Sequence, residues 1–158
     1  MDFFAYYDSP LGPITLTFDG EAITGLRFSK TDNNCVSKLP TTNYPLPTKT
    51  HHWLDQYFSG HRPDFLPPIK QSGTDFQKRV WQALLEIPYG ETTTYGELAR
   101  RIGCRSAQAV GQAVGKNPIA IIVPCHRVIG GDGSLTGYAY GLERKEYLLQ
   151  LERQNKSQ

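Results

Sequence analysis

The sequence has no run of about 18 apolar residues, so nothing in it reads as a transmembrane helix. Its start, Met1-Asp2-Phe3-Phe4, lacks the basic stretch followed by an apolar stretch that marks a secretion signal. Cysteine is scarce. Cys35, Cys104 and Cys125 form an odd, widely spaced set with no CxxC pair, which argues for free thiols in a reducing cytoplasm rather than a disulfide framework. Zinc ligands are equally short. Cys35, His51, His52 and His61 offer one cysteine and an adjacent histidine pair, so surface histidines without metal are expected. A strong charge of either sign is missing too, with a formal net of +2. That balance does not mark a nucleic-acid binder, although its placement is uneven. Residues 1–71 carry 6 Lys/Arg against 7 Asp/Glu, and residues 72–158 carry 11 against 8. Arg100, Arg101, Arg105 and Lys116 fall in one short segment whose only acid is Glu97.

What is present suits a globular protein: 39% apolar and 20% charged residues over 158 positions, enough for one ordinary domain or two small ones. The aromatic run Phe3-Phe4-Ala5-Tyr6-Tyr7, the alternating Ile14-to-Phe18 and the return Ala22-to-Phe28 predict three strands in a meander, with turns at Ser9–Pro13 and Asp19-Gly20. Residues 29–48 are polar and proline-dotted and read as a loop. Trp53-Leu54 and Tyr57-Phe58 sit one helical turn apart, predicting a short helix over 49–58. No cluster of catalytic acids occurs in this half, which leaves it a supporting role.

The second half reads as helices. Thr74 or Asp75 caps a stripe of Phe76, Val80, Trp81, Leu84 and Leu85. Thr93 or Thr94 caps a helix from Tyr95 to Ile102 that Gly103 stops. Ser106 to Lys116 follows as a helix rich in small residues, Ala107, Ala109, Gly111, Ala113 and Gly115, and the pair reads as a helix-turn-helix. A last helix runs from Tyr140 or Gly141 to Gln154, with Leu142, Tyr147, Leu148 and Leu151 as its expected buried stripe.

The organising stretch is Ile121-Ile122-Val123-Pro124-Cys125-His126-Arg127-Val128, which reads as a buried strand or core segment ending in a thiol, an imidazole and a guanidinium. A base or a positive charge beside a cysteine favours the reactive thiolate. The string Pro124-to-Val128 resembles the active-site motif of the 6-O-alkylguanine-DNA alkyltransferases, which take the alkyl group of a damaged base onto their own cysteine. Thr94-Tyr95-Gly96-Glu97-Leu98-Ala99, Asn117-Pro118, Gly137-Tyr138 and Lys145-Glu146-Tyr147-Leu148-Leu149 extend the similarity, whose strong part covers about residues 72 to 152.

That resemblance implies an α/β protein with a small ribonuclease-H-like domain over 1–71 and a mostly helical domain with a helix-turn-helix over 72–158. It implies irreversible transfer to Cys125 from 6-O-methylguanine, and from 4-O-methylthymine, in double-stranded DNA held at its minor groove. No cofactor is implied, and a monomer in the cytoplasm, associated with the nucleoid in a bacterium, is expected. By position, Cys125 is activated through a water held by His126, Glu152 orients His126, and Asn117 braces the approach to the cysteine. Arg127 is read as structural, pairing with an acid or a carbonyl. DNA and base contacts fall on Tyr95, Arg105, Gln108, Ala109, Gly111, Ala113, Val128, Tyr138 and Ala139. Two departures stand out. Gln108 occupies the place of the family's intercalating arginine, and Tyr140 is bulky where other members have glycine. The alternative is a non-catalytic binder of alkylguanine that recruits other repair factors; such proteins lack the cysteine, which Cys125 opposes. A cysteine hydrolase is a further rival, and it predicts turnover where a stable thioether predicts single use.

Overall fold

The computed structural model describes residues 3–28, 45–135, 138 and 140–156. Of the loop expected at 29–48, residues 29–44, Cys35 among them, lie outside them, as does Ala139, and residues 45–48 belong to a helix instead. Three antiparallel strands, β1 (Phe3–Ser9), β2 (Gly12–Phe18) and β3 (Ile23–Phe28), form a sheet in the order β1-β2-β3. Ser9 pairs with Gly12, which closes the first hairpin over Pro10 and Leu11. Ile14, Leu16 and Phe18 bury the inner face, as period-two alternation requires. The helix expected at 49–58 begins earlier: α1 spans Pro45–Phe58, its prolines lying in the first turn, where no backbone donor is needed. It packs Trp53, Leu54 and Tyr57 into the core.

The outer edge of β3 joins the two halves of the chain. Ile23 N donates to Pro68 O at 2.8 Å and Lys70 N donates to Ile23 O at 2.8 Å. Further along, Leu26 N donates to Pro118 O at 2.9 Å and Ala120 N to Leu26 O at 3.1 Å. The loop that leads to Cys125 is therefore docked on the N-terminal sheet.

In the second half, α2 (Asp75–Leu85) starts at a capping box: Thr74 accepts from Gln77 N, and the Gln77 side chain accepts from Thr74 N. Short β4 (Thr93–Thr94) precedes α3 (Tyr95–Arg101), which Thr94 caps through Glu97 N at 3.1 Å. Gly103 follows with φ +72°, the left-handed conformation that lets the chain turn away. Then α4 (Ala107–Gly115) begins at Ser106, whose hydroxyl accepts from Ala109 N. It packs on α2 and α3, and α5 (Leu142–Gln154) closes the chain.

Two expectations are corrected. Ile119–Val123 is fully buried but is not a strand; Ile122 N bonds Ala120 O, Val123 N bonds Ile119 O, and Ile121 has φ +68°. An apolar run reports burial and not backbone shape. The strand comes later: β5 (Val128–Ile129) pairs in parallel with β4, after a 3-10 turn at Cys125–Arg127. The stripe of α5 is also different. Leu142 and Tyr147 are exposed and Leu151 is half-buried, while Lys145, Leu148, Leu149 and Glu152 are buried.

Candidate active site

Cys125 opens the 3-10 turn and is 8% exposed. Its backbone is set by Asn117. Asn117 Nδ2 donates to Val123 O at 2.8 Å and Ile119 O at 3.2 Å, and Oδ1 accepts from Ile119 N at 3.0 Å and Gln71 Nε2 at 3.1 Å. One side chain thus satisfies the polar groups of a tightly turned, buried loop. Burial pushes the Cys125 thiol up; a hydrogen bond from Asn117 and the nearby Lys145 ammonium draw it back only part of the way. A thiol in that state stays protonated until a base takes its proton.

The base sits on the next residue. His126 is wholly buried, and Nε2 lies 2.5 Å from Glu152 Oε2. Glu152 is 1% exposed, and three more donors converge on it: Tyr57 OH to Oε2 at 2.5 Å, Arg127 Nε to Oε1 at 2.7 Å and Gly90 N to Oε1 at 3.2 Å. Burial pushes the Glu152 carboxyl up, but the His126 ring and the Arg127 guanidinium outweigh it and hold it well below the usual carboxylate range. Arg127 is permanently charged, so Glu152 is ionised whichever form the ring takes. An ionised carboxylate only accepts, so the ring proton resides on Nε2. Burial lowers the His126 pKa against the pull of Glu152, which leaves the ring neutral near pH 7. Its Nδ1 is then an unprotonated, buried acceptor, without a hydrogen-bond partner among the described residues. The arrangement presents a neutral base beside a buried thiol.

Lys145, on α5, is also buried and donates Nζ to Val128 O at 2.6 Å. Burial lowers its pKa and the Cys125 thiol opposes the drop. Arg127 pairs with both an acid and a carbonyl, its NH1 donating to Ile87 O at 2.7 Å. Tyr138 and Tyr140 lie against each other, ring centres 5.6 Å apart, and burial followed by the adjacent Cys125 raises both phenols. The Tyr138 hydroxyl is buried with no hydrogen-bond partner among the described residues.

The other expected contact residues separate into two groups. Arg105 and Gln108 are exposed, and Tyr95, Ala109 and Gly111 are half-buried at α3 and α4. A Cβ at Gly111 would meet the Tyr95 ring at 3.5 Å, so the two helices approach closely there. Ala113 does not belong with them. It is buried, and its carbonyl accepts Trp81 Nε1 at 2.8 Å, so its small size serves the packing of α4 on α2. Val128 has a fully buried side chain, which leaves only its backbone to offer. The basic segment is less free than its composition implies, because Arg100 pairs with Glu97 and Arg101 lies 4.0 Å from Glu86. Among the described residues no group of three His, Cys, Asp or Glu side chains could hold a metal ion. No described helix is long and apolar enough to cross a membrane.

Two family models match the chain: the ribonuclease-like domain of 6-O-methylguanine DNA methyltransferase over residues 3–71, and its DNA-binding domain over residues 75–154. The chain belongs to the 6-O-methylguanine DNA methyltransferase family. Curated members include the methylated-DNA–protein-cysteine methyltransferases of Methanosarcina acetivorans, 48% identical with 95% of this chain and 97% of the relative covered, and of Haemophilus influenzae, 46% identical with 96% and 86% covered. Among solved methyltransferases, Mycobacterium tuberculosis OGT in complex with DNA superimposes with a TM-score of 0.85 at 46% identity, covering 96% of this chain and 93% of that one. The Methanococcus jannaschii 6-O-methylguanine DNA methyltransferase gives 0.71 at 29% identity, covering 97% and 94%. The ribonuclease-like half and the helical half expected from the sequence are both family features.

Sequence reading missed the Tyr57 hydroxyl and the place of Lys145. Helical spacing places Tyr57 on the apolar stripe of α1 and is silent on its hydroxyl, although a buried phenol normally finds a partner. Lys145 and Glu152 stand at i and i+7 with Leu148 and Leu149 between them, a helical face that a search for apolar residues alone does not register.

Proposed function

We propose that this protein repairs DNA by moving the methyl group of 6-O-methylguanine onto Cys125, once per molecule. The observation that carries the reading is the buried thiol of Cys125 followed by a neutral His126 whose Nε2 is committed to Glu152. His126 Nδ1 takes the thiol proton by way of a water. The sulfur attacks the methyl carbon, the bond from that carbon to guanine oxygen breaks with its electron pair, and the proton released by the thiol balances the charge on the restored base. The product is a thioether, which no group in the site can cleave, so the protein is consumed. The same chemistry extends to 4-O-methylthymine. Asn117 holds the cysteine loop and favours the thiolate through its hydrogen bond to Cys125. Lys145 adds positive charge to the site.

The target base must leave the stack to reach a buried thiol, at a cost of a few kcal/mol. Residues 72–158 carry the chemistry and the DNA contacts, with α3 and α4 lying at the minor groove of a duplex and residues 1–71 in support. Tyr95, Arg105, Gln108, Ala109 and Gly111 contact the DNA, and Tyr138, Ala139 and the Val128 backbone line the base pocket. The protein acts as a monomer in the cytoplasm. Titration with a methylated duplex tests the reading: repair should stop at one methyl per chain, and continued turnover would contradict it.

Gln108 gives a second expected result. A cation in the vacated stack lies between base faces and near phosphates, worth on the order of 1–3 kcal/mol. Glutamine recovers part of that through hydrogen bonds to the unpaired cytosine. Gln108→Arg should therefore speed single-turnover repair of a duplex by roughly tenfold and leave a single strand unchanged, since only the duplex demands extrusion. Equal acceleration of both would show that position 108 does not fill the gap.

A further inference from the structure

We infer that Tyr57 is a positioning residue of the relay: its hydroxyl, brought from the N-terminal half on α1, shares Glu152 Oε2 with His126 and sets the basicity of the ring. The inference rests on the alkyl-transfer reading and adds a member to it. Tyr57 is wholly buried, and its OH donates to Oε2 at 2.5 Å while lying 3.4 Å from His126 Nε2. Burial, reinforced by the charge of Glu152, keeps the phenol protonated far into the alkaline range, so it is a donor under all ordinary conditions. Both Nε2–H and the phenol therefore point at one carboxylate oxygen.

Packing accounts for the ring of Tyr57 but not for its hydroxyl. The ring stacks on Trp53 at 5.4 Å and meets Tyr89 edge-on at 6.2 Å, contacts a phenylalanine would keep. The hydroxyl acts on charge. A donor on Oε2 neutralises part of the carboxylate and weakens its hold on an imidazolium. Tyr57 thereby works with burial to keep His126 neutral and able to accept a proton, while Arg127 and Gly90 fix the other carboxylate oxygen. The family's ribonuclease-like half thus supplies a group to chemistry carried by the other half.

The test follows the His126 ring by NMR titration and the alkylation rate on a methylated duplex as a function of pH. In the unaltered protein the ring carries its proton on Nε2 and titrates below the ordinary 6.5. Tyr57→Phe should raise that titration by roughly half a unit to one unit, and the acid limb of the rate profile should move up with it. Placing 3-fluorotyrosine at position 57, a stronger donor of nearly the same shape, should move both in the opposite direction. A purely structural residue would give no such pair of opposed shifts. A ring titration that stays put in both proteins would overturn the proposal, whatever happens to the rate. Should Tyr57→Phe fail to fold, the fluorotyrosine protein carries the test alone. The ring titration needs no DNA, so opposed shifts in a protein that transfers no methyl would uphold Tyr57 and sink the alkyl-transfer reading instead.

Discussion

Glu152→Gln should slow methyl transfer by about a hundredfold to ten-thousandfold, the usual worth of a positioned general base. The substitution keeps the shape of the side chain and removes its charge. Glutamine offers one accepting oxygen where four donors now converge, so its amide must turn N–H groups toward at least one of them. His126 then loses the partner that fixes its proton on Nε2, and Nδ1 is no longer reliably the free base. Arg127, with a side chain only 11% exposed, is left without its counter-charge. Removing one partner of a buried pair costs about 3–5 kcal/mol, so the variant should also melt earlier. The pH dependence has a definite sign. Folding depresses the Glu152 pKa, so this stabilisation is complete above the ordinary carboxyl value of 4.5 and decays as the pH falls below it. The melting difference between the two proteins should therefore be full at neutral pH and shrink in acid. DNA affinity should change little, because the relay lies on the cysteine turn and α5 while the contacts are assigned to α3 and α4. Single-turnover rates and melting curves measure these effects, and a variant that transfers at the unaltered rate would remove Glu152 from the relay.

Asn117→Ala should be the most destabilising change in the cysteine loop. It deletes four hydrogen bonds at once, leaving Ile119 N without its acceptor in a buried loop and Ile119 O and Val123 O with only the backbone donors Val123 N and Cys125 N. The orphaned donor costs about 1–3 kcal/mol and each of the other lost hydrogen bonds about 0.5–1.5 kcal/mol, so a total of roughly 3–5 kcal/mol is expected after local relaxation. For a chain of this size that is a fall in melting temperature of about 10 °C. The same loop holds Ile121 at φ +68°, a conformation a β-branched residue adopts only when its surroundings enforce it. Transfer should fall as well, since the thiol loses a donor that favours its charged form. Thermal melting and the transfer rate of the refolded variant check both parts. A melting temperature within a degree or two of the original would show that the loop holds itself.

How much of this was legible in the chain depends on whether a signal is local. The β1-β2-β3 meander follows from alternation and from Asp19-Gly20, and the starts of α2, α3 and α4 follow from Thr74, Thr94 and Ser106, side chains that cap their own helices. The cysteine, its histidine and the bracing asparagine were readable as a motif within the ten residues from Asn117 to His126. Four features were not readable, for physical reasons. The turns at Ile119–Val123 are imposed by the Asn117 side chain and by docking on β3, which a run of apolar residues does not encode. Lys145 is buried with its ammonium bonded to Val128 O and in electrostatic reach of the Cys125 thiol, a tertiary setting that a search for an apolar stripe passes over. Arg101 finds Glu86 across two helices, which a count of acids in one segment overlooks. Tyr57 reaches Glu152 across 95 positions, a contact that exists only once both halves are folded.

The most direct test of the account is the mass of the protein and of its peptides after it is mixed with an excess of duplex DNA carrying 6-O-methylguanine. The account predicts a gain of one methyl in place of one hydrogen, located on the peptide that contains Cys125, with guanine restored in an equal amount of DNA and no further reaction on longer incubation. A methyl on Cys35 or Cys104, a restored base in excess of protein, or tight binding of the damaged duplex with an unchanged protein mass would each contradict it.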